Sequence, residues 1–359
     1  MNAPDMTSAG MATWDHTRKS AHIRNVVTRA GADLRLRHPW LRHQNAIGVT
    51  ILCIALAGML GSAWLYAHGV IAWWLCIPVA AIFASFTHEL EHDLIHWMYF
   101  RKRPFAHHLM MALVWLARPS TINPWIRRDL HFRHHKYSGT ARDIEEQGIT
   151  NGQPWGLRRL LMLADATAAI VLRLPQAPTW KRRAFLLLGG LAAYFPLGWL
   201  HWGLWYCFLG VHGADAVAAA TGHAIAWPIA LSQAMPTIDL LIVVWIGPNV
   251  LRSFCLHFVS SNMHYYGDVE DGNVIQQTQV LNPWWLWPAQ LFCFNFGSTH
   301  AIHHFVVKEP FYIRQWTAPV AHRVMREMGV RFNDYGSFAS ANRWSRTPTA
   351  AADINAARA

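Results

Sequence analysis

Residues 47–87 read IGVTILCIALAGMLGSAWLYAHGVIAWWLCIPVAAIFASFT, and residues 88–96 follow at once with HELEHDLIH. The run from Ile47 to Ala67 is long enough to span a bilayer, since ~20 residues at ~1.5 Å rise cover a ~30 Å hydrocarbon core. His68-Gly69 makes a tight turn, and Val70 to about Thr87 returns, so a helical hairpin with almost no external loop is expected. Charge supports this. No Lys or Arg occurs between Ala46 and Phe100, and none between Ala184 and Leu251. The basic residues form three blocks: Met1 to Asn45, Arg101 to Arg183, and Arg252 onward. A nucleic-acid-binding protein with the same formal charge of +11 would not segregate it around long apolar stretches. A membrane protein obeying the positive-inside rule would.

Further along, Phe105 to Ala117 is apolar but short, which suits an interfacial or half-inserted helix. Lys181-Arg182-Arg183 anchors a second hairpin, in which Ala184 to about Trp205 crosses and Leu240 to about Val259 crosses back. The segment from Cys207 to Ile238 between them is expected to be external or re-entrant. The fold class read here is all-α: a polytopic membrane protein with about four transmembrane helices in two hairpins. Both termini and a helical cap lie on the cytoplasmic side, as in a bacterial inner membrane.

Overall composition agrees. Apolar residues make up 53% of the 359-residue chain, charged residues 14%, and there are 20 Trp. Soluble domains carry closer to ~25% charge, and Trp collects at the membrane interface. The first apolar run follows a polar, basic stretch, so no signal peptide is expected. The expected organisation is a basic segment over 1–45, a membrane-embedded catalytic domain over 46–315, and a C-terminal tail over 316–359. Residues 1–15 and 340–359 are expected to be disordered. Cys53, Cys76, Cys207, Cys255 and Cys293 form no CxxC pair and read as buried small hydrophobes.

Chemistry is signalled by histidine. Of 22 His, several cluster at the expected cytoplasmic ends of the spans. Residues four apart share a helix face, so within HELEHDLIH either His92 and His96 or His88 and His92 can address one metal. His131-Phe-Arg-His134-His135 and His300-Ala-Ile-His303-His304 both read HxxHH. In each, the first and last His share a face, and the middle one swings toward a second centre. His264 stands alone past the last span. His88-Glu89-Leu90-Glu91-His92 is also literally HExxH, the pattern of zinc proteases. That reading leaves both HxxHH boxes unexplained, and a metal carrier or transporter would place its ligands within the spans, whereas these lie at the expected span ends.

HxxxH, HxxHH, a lone His and HxxHH, in that order and around this topology, resemble the membrane fatty-acid desaturase and hydroxylase superfamily over roughly residues 46–315. The resemblance implies a non-haem di-iron enzyme that uses O₂ to oxidise an unactivated C–H bond. Fatty-acyl desaturation is the expected reaction, with hydroxylation of a lipid, alkane or terpenoid as the alternative. Carried over by position, it implies the metal ligands His92, His96, His131, His134, His135, His264, His300, His303 and His304. The doubled first box leaves His88 open in place of His96. An Asp after His92 and a Trp after His96 favour the desaturase-like pairing.

Asp143, Glu145 and Glu146 are candidates to orient ligand imidazoles, or form a solvated acidic turn. Asn262 is a candidate outer-sphere partner. Arg252 either holds a substrate head group or snorkels to the interface. His107, His108, His201, His212 and His223 lack a box and read as interfacial or packing residues. No haem, flavin or rubredoxin-like module is visible. The resemblance therefore implies a separate electron donor of ferredoxin, rubredoxin or cytochrome type, which the basic face would steer.

Overall fold

A computed structural model of the chain describes residues 13–140, 142–149 and 152–345. It is all-α. Among the described residues only two isolated bridges, His264 to Thr278 and Val280 to Phe332, have β geometry. Helix α1 (His16–Arg37) precedes the first hairpin, α2 (Gln44–Ala67) and α3 (Trp73–Ile95), both long and apolar enough to cross a membrane. Gly69 makes the turn between them with φ +70°, a conformation that needs no Cβ. Helix α4 (Pro104–Leu116) is the short apolar helix anticipated, and α5 (Pro124–Tyr137) follows with Asn123 capping the Trp125 N–H.

After α6 (Ile144–Gly148), α7 (Leu157–Ala164) and α8 (Ala166–Arg173), the second hairpin departs from expectation. The apolar run begun at Ala184 is broken into α9 (Trp180–Tyr194) and α10 (Leu197–Ala220), which meet at 99°. Pro196 explains the break: it has no N–H to continue the helix, and it disfavours helical geometry in the residue before it. Ala184 to Trp205 is therefore no straight crossing, and α9 and α10 are long and apolar enough only as a bent pair. The return is α11 (Ile229–Met263), a 35-residue run with a π-helical stretch over Ile242–Ile246. Residues Cys207 to Ile238 are mostly helical, divided between α10 and the start of α11. Among the described residues three helices are long and apolar enough to span, or four if the bent pair counts as one span.

Helices α12 (Phe296–Phe305) and α13 (Phe311–Glu327) complete the body. Both chain flanks fold onto it. Ile23 and Val27 of α1 join Leu256, Val259 and Met263 of α11, Ile302 of α12 and Val324 of α13 in the principal buried cluster. Arg35 pairs with Glu309 at 2.6 Å. The boundary expected at residue 315 thus separates nothing in packing. Asn342 is buried, donating to the carbonyls of Ser261 (2.6 Å) and His264 (3.1 Å). Of the stretches 1–15 and 340–359 expected to be disordered, residues 1–12 and 346–359 lie outside the described residues, whereas Ser340 and Asn342 are buried.

Two smaller expectations also change. Cys53 is exposed and Cys207 partly so, both on span helices, while Cys76, Cys255 and Cys293 are buried. Arg252 is fully buried and cannot snorkel to an interface.

Candidate metal centre

In the last turns of α3, every residue from Thr87 to Ile95 is buried. The helix stops at His96, and Trp97 takes the left-handed conformation (φ 56°). Its N–H bonds Leu94 O at 2.9 Å, and the Met98 N–H bonds Asp93 O at 3.1 Å. This paired closure satisfies the last carbonyls and turns the chain sharply beneath His96. On α12, Gly297 allows close approach: a Cβ there would collide with Leu281 O and come within 2.5 Å of Gln290 Nε2.

These helix ends bring histidines together in two groups. His92, His96, His131 and His303 form one, and His134, His264, His300 and His304 the other, with the ligand atoms of each within 4.8 Å of one another. His135 adds to the first group: its Nε2 lies 2.9 Å from His303 Nε2, 3.1 Å from His131 Nε2 and 3.3 Å from His96 Nε2. His131 and His96 approach at 3.1 Å, and His300 and His304 at 3.3 Å, again through Nε2. Each HxxHH box is shared as its spacing requires. His131 and His135 address one centre while His134 addresses the other, and His300 and His304 address the second while His303 reaches the first.

The outward-facing nitrogens are tied down. His131 donates from Nδ1 to Glu145 Oε2 (3.0 Å), His134 to Asp143 Oδ2 (2.8 Å), His304 to Gln277 Oε1 (3.0 Å) and His264 to Ser260 O (2.9 Å). On a neutral ring, a proton held on Nδ1 leaves Nε2 with its lone pair, free to bind a metal. Burial keeps most of the cluster uncharged. It lowers His96 to about 3 and His264 to about 4, with Arg314 the next cause for the former and His134 for the latter. Burial likewise pushes His131, His135, His300, His303 and His304 well below the ordinary imidazole range. His134 is the exception. Burial pushes it down, but the carboxylate of Asp143 overrides this and raises it to about 10.

The donor set fits a pair of metal ions. Facing imidazole lone pairs near 3 Å repel unless a cation sits among them, and the buried His92 and His264 Nε2 atoms have no hydrogen-bond partner. Nitrogen-rich sites of this kind suit iron, among other first-row ions. His88 stays apart from both groups. Its Nδ1 faces Arg118 Nη1 at 3.5 Å, so the HExxH pair has no common focus.

Asp143 and Glu146 belong to the site rather than to a solvated turn; both are buried, and Glu146 Oε1 is 3.5 Å from His264 Nδ1. Asn262 does not. Its side chain accepts from Trp155 Nε1 (3.2 Å) and donates to Phe258 O (2.7 Å), away from every imidazole of the two groups.

Gln277 was missed, since a lone Gln past His264 carries no signal. Two buried ionic networks were missed too. Arg314 reaches Asp93 (3.2 Å) and Glu89 (3.4 Å), tying α3 to α13. Glu91 pairs with both Arg118 and Arg127 (2.7 Å to the latter), and Arg127 Nε contacts the same Glu145 that holds His131 (3.4 Å). Three carboxylates in an apolar helix were the available hint.

The family model described as Fatty acid desaturase matches residues 68–336, well over half of the chain. The protein belongs to the fatty acid desaturase family. No curated protein matches the sequence. In this family member the matched region contains α3, α5, α11 and α12, which, with His96 and His264 capping α3 and α11, supply all of the clustered histidines.

Proposed function

We propose that this protein is an O₂-dependent, non-haem di-iron oxidase of C–H bonds in a fatty-acyl lipid, and that its reaction is desaturation. The carrying observation is the pair of buried histidine groups, interlocked through two HxxHH boxes at the ends of apolar helices. His92, His96, His131, His135 and His303 would hold one iron, and His134, His264, His300 and His304 the other. Two irons, when bound, supply the redox chemistry that reduces O₂ and removes hydrogen from a methylene group.

The chain's own part is binding, orientation and dryness. Asp143, Glu145 and Gln277 fix imidazole orientation and tautomer from behind. The spans wall the site with apolar surface, which suits an acyl chain. The body over residues 46–315 carries the chemistry, with the flanks packed against it. The segregated basic blocks favour a bacterial inner-membrane orientation with termini and active site cytoplasmic. Electrons come from a separate ferredoxin, rubredoxin or cytochrome, drawn by that basic face. A zinc-protease reading loses support because His88 faces Arg118 instead of sharing a focus with His92.

The test is iron analysis of the purified protein combined with lipid mass spectra from cells supplied with a compatible donor. A His303→Ala, His304→Ala variant serves as the control. Two irons per chain and loss of two hydrogens from an acyl species, absent in the control, are expected. Gain of one oxygen would replace desaturation by hydroxylation. One zinc and no iron would overturn the proposal.

A further inference from the structure

Of the nine clustered histidines, seven lie within helices and His96 closes α3 with ψ 11°, whereas His264 leaves α11 in extended backbone (φ −92°, ψ 134°). Helical periodicity therefore aims the others but not this one. A helix also ends with four carbonyls that have no partner within it, and at the end of α11 these belong to Ser260 through Met263. Ser260 O accepts from the His264 N–H (3.3 Å) and from its Nδ1 (2.9 Å). Gln279 serves two more, Asn262 O through Nε2 (2.9 Å) and Met263 O through its N–H (2.8 Å). Ser261 O is served from distant parts of the chain, by Arg159 Nη2 of α7 (2.9 Å) and by Asn342 Nδ2 (2.6 Å).

Asn342 does more than close that carbonyl. The same Nδ2 reaches His264 O at 3.1 Å, its Oδ1 accepts from Arg159 Nη2 (2.8 Å), and its own carbonyl accepts the Tyr266 N–H (2.9 Å). The residues that follow hold the same stretch. Trp344 and Ser345 donate their N–H groups to the Asp268 carboxylate (2.7 and 2.8 Å), and the Trp344 ring meets Tyr265 edge-on at 4.9 Å. Between these contacts Gly267 has φ +95°, and a Cβ there would collide with the Arg343 guanidinium, so the two segments touch closely. Asn342 is fully buried with φ 67°, a left-handed conformation that Asn tolerates better than most residues. The segment lies beyond residues 68–336, the region matched to the family.

We infer that the C-terminal segment over 340–345 is a clamp that positions His264 for the second metal, with Asn342 as its positioning residue. A ligand on extended chain would otherwise lose its backbone freedom only when the metal binds, at a cost in affinity. Holding the last turn of α11 and the His264 carbonyl together removes that freedom beforehand, with Nδ1 on Ser260 O and Nε2 left for a metal shared with His134, His300 and His304. The inference requires a metal in the second histidine group, and not the oxidase reading of what that metal does.

The test is chelator competition on the iron-loaded, detergent-solubilised full chain carrying Asn342→Gly or Asn342→Asp. Gly keeps the left-handed backbone and removes only the side chain. Asp keeps the acceptor for Arg159 but turns an acceptor onto the carbonyls of Ser261 and His264. In each, one of the two irons should bind about tenfold more weakly, the lower end of the loss typical for a partner behind a ligand, while the other keeps its affinity. A His96→Ala background, which should empty the first group, assigns the loosened iron: the one that remains should weaken by the same factor. Coupling between sites is reciprocal, so in the unmodified protein iron should slow hydrogen exchange at the Tyr266 and Trp344 amides by about tenfold. Both irons held at unmodified affinity in the variants, or both loosened together, would overturn the inference. So would equal exchange at those amides with and without iron, which no folding defect of a variant can produce. Two irons per chain in the unmodified preparation would show that such a failure leaves the oxidase reading intact.

Discussion

Asp143 offers the sharpest perturbation of the metal centre. Its Oδ2 accepts from His134 Nδ1 (2.8 Å) and the Gly139 N–H (3.3 Å), while Oδ1 accepts the Glu146 N–H (3.2 Å) and caps α6. All three neighbours are donors. In Asp143→Asn, the amide NH₂ must therefore oppose a donor whichever way it turns. The less harmful orientation keeps a neutral acceptor toward His134 and gives up the cap, worth about 1 kcal/mol. Losing such a partner behind a ligand typically weakens metal affinity about 10- to 100-fold, or about 1.4 to 2.7 kcal/mol. Asp143→Asn should fall near the lower end and Asp143→Ala near the upper. The assay is iron release into a chromogenic chelator, with residual metal counted by mass spectrometry. One of the two irons should become labile while the other is retained, because His134 serves only the group with His264, His300 and His304. Glu145→Gln should loosen the other iron, through His131. If both Asp143 variants release iron at the unmodified rate, orientation of His134 by Asp143 has no part in metal binding.

Removing His96 should empty the first group, whereas His88→Gln should leave two irons per chain, because His88 faces Arg118 and not the other imidazoles; iron content of the two variants decides this directly. Gly297→Ala should lower the thermal midpoint, since its Cβ has no room between Leu281 O and Gln290 Nε2. Overpacking of this kind costs about 1–3 kcal/mol, and iron occupancy should fall with it as α12 is pushed out. The metal-free protein should lose stability on acidification. His96 and His264 are held at about 3 and about 4 by burial, below the ordinary 6.5, so the unfolded chain binds more protons as pH falls through that interval. His134, raised to about 10, contributes fully below 6.5 and loses its contribution only as pH rises through 10, so it does not offset the acid loss. Thermal melts of stripped protein from neutral to acid pH would show a falling midpoint; a flat profile would contradict the burial of these rings.

The histidine geometry was legible because it is periodic. An i, i+4 pair and an i+3 neighbour on one helix can only divide between two centres, and His131, His134, His135 and their counterparts on α12 divide that way. The first hairpin was legible for a similar reason: uninterrupted apolar length on both sides of a Gly turn. Where length alone was read, it failed. Ala184 to Trp205 had the hydropathy of a span, but Pro196 outweighs hydropathy because no side chain replaces the missing N–H within a helix.

The charges were the least legible. Glu89, Glu91 and Asp93 were visible as carboxylates in an apolar helix, yet their partners Arg118, Arg127 and Arg314 stand 27, 36 and about 220 residues away. No local pattern encodes such pairings. Their consequence is structural as well as chemical, because these pairs join α3 to α5 and α13, the elements that bracket the histidines. A buried Arg is informative only when the carboxylates around it have been counted. Snorkelling was the natural reading of Arg252 at a span's end, but burial removes that option and full engagement of Glu91 removes the obvious counter-ion. What distinguishes Arg252 from Arg118 and Arg314, which are equally buried, is that it bonds the neutral Asn249 and Ser253 where they bond carboxylates.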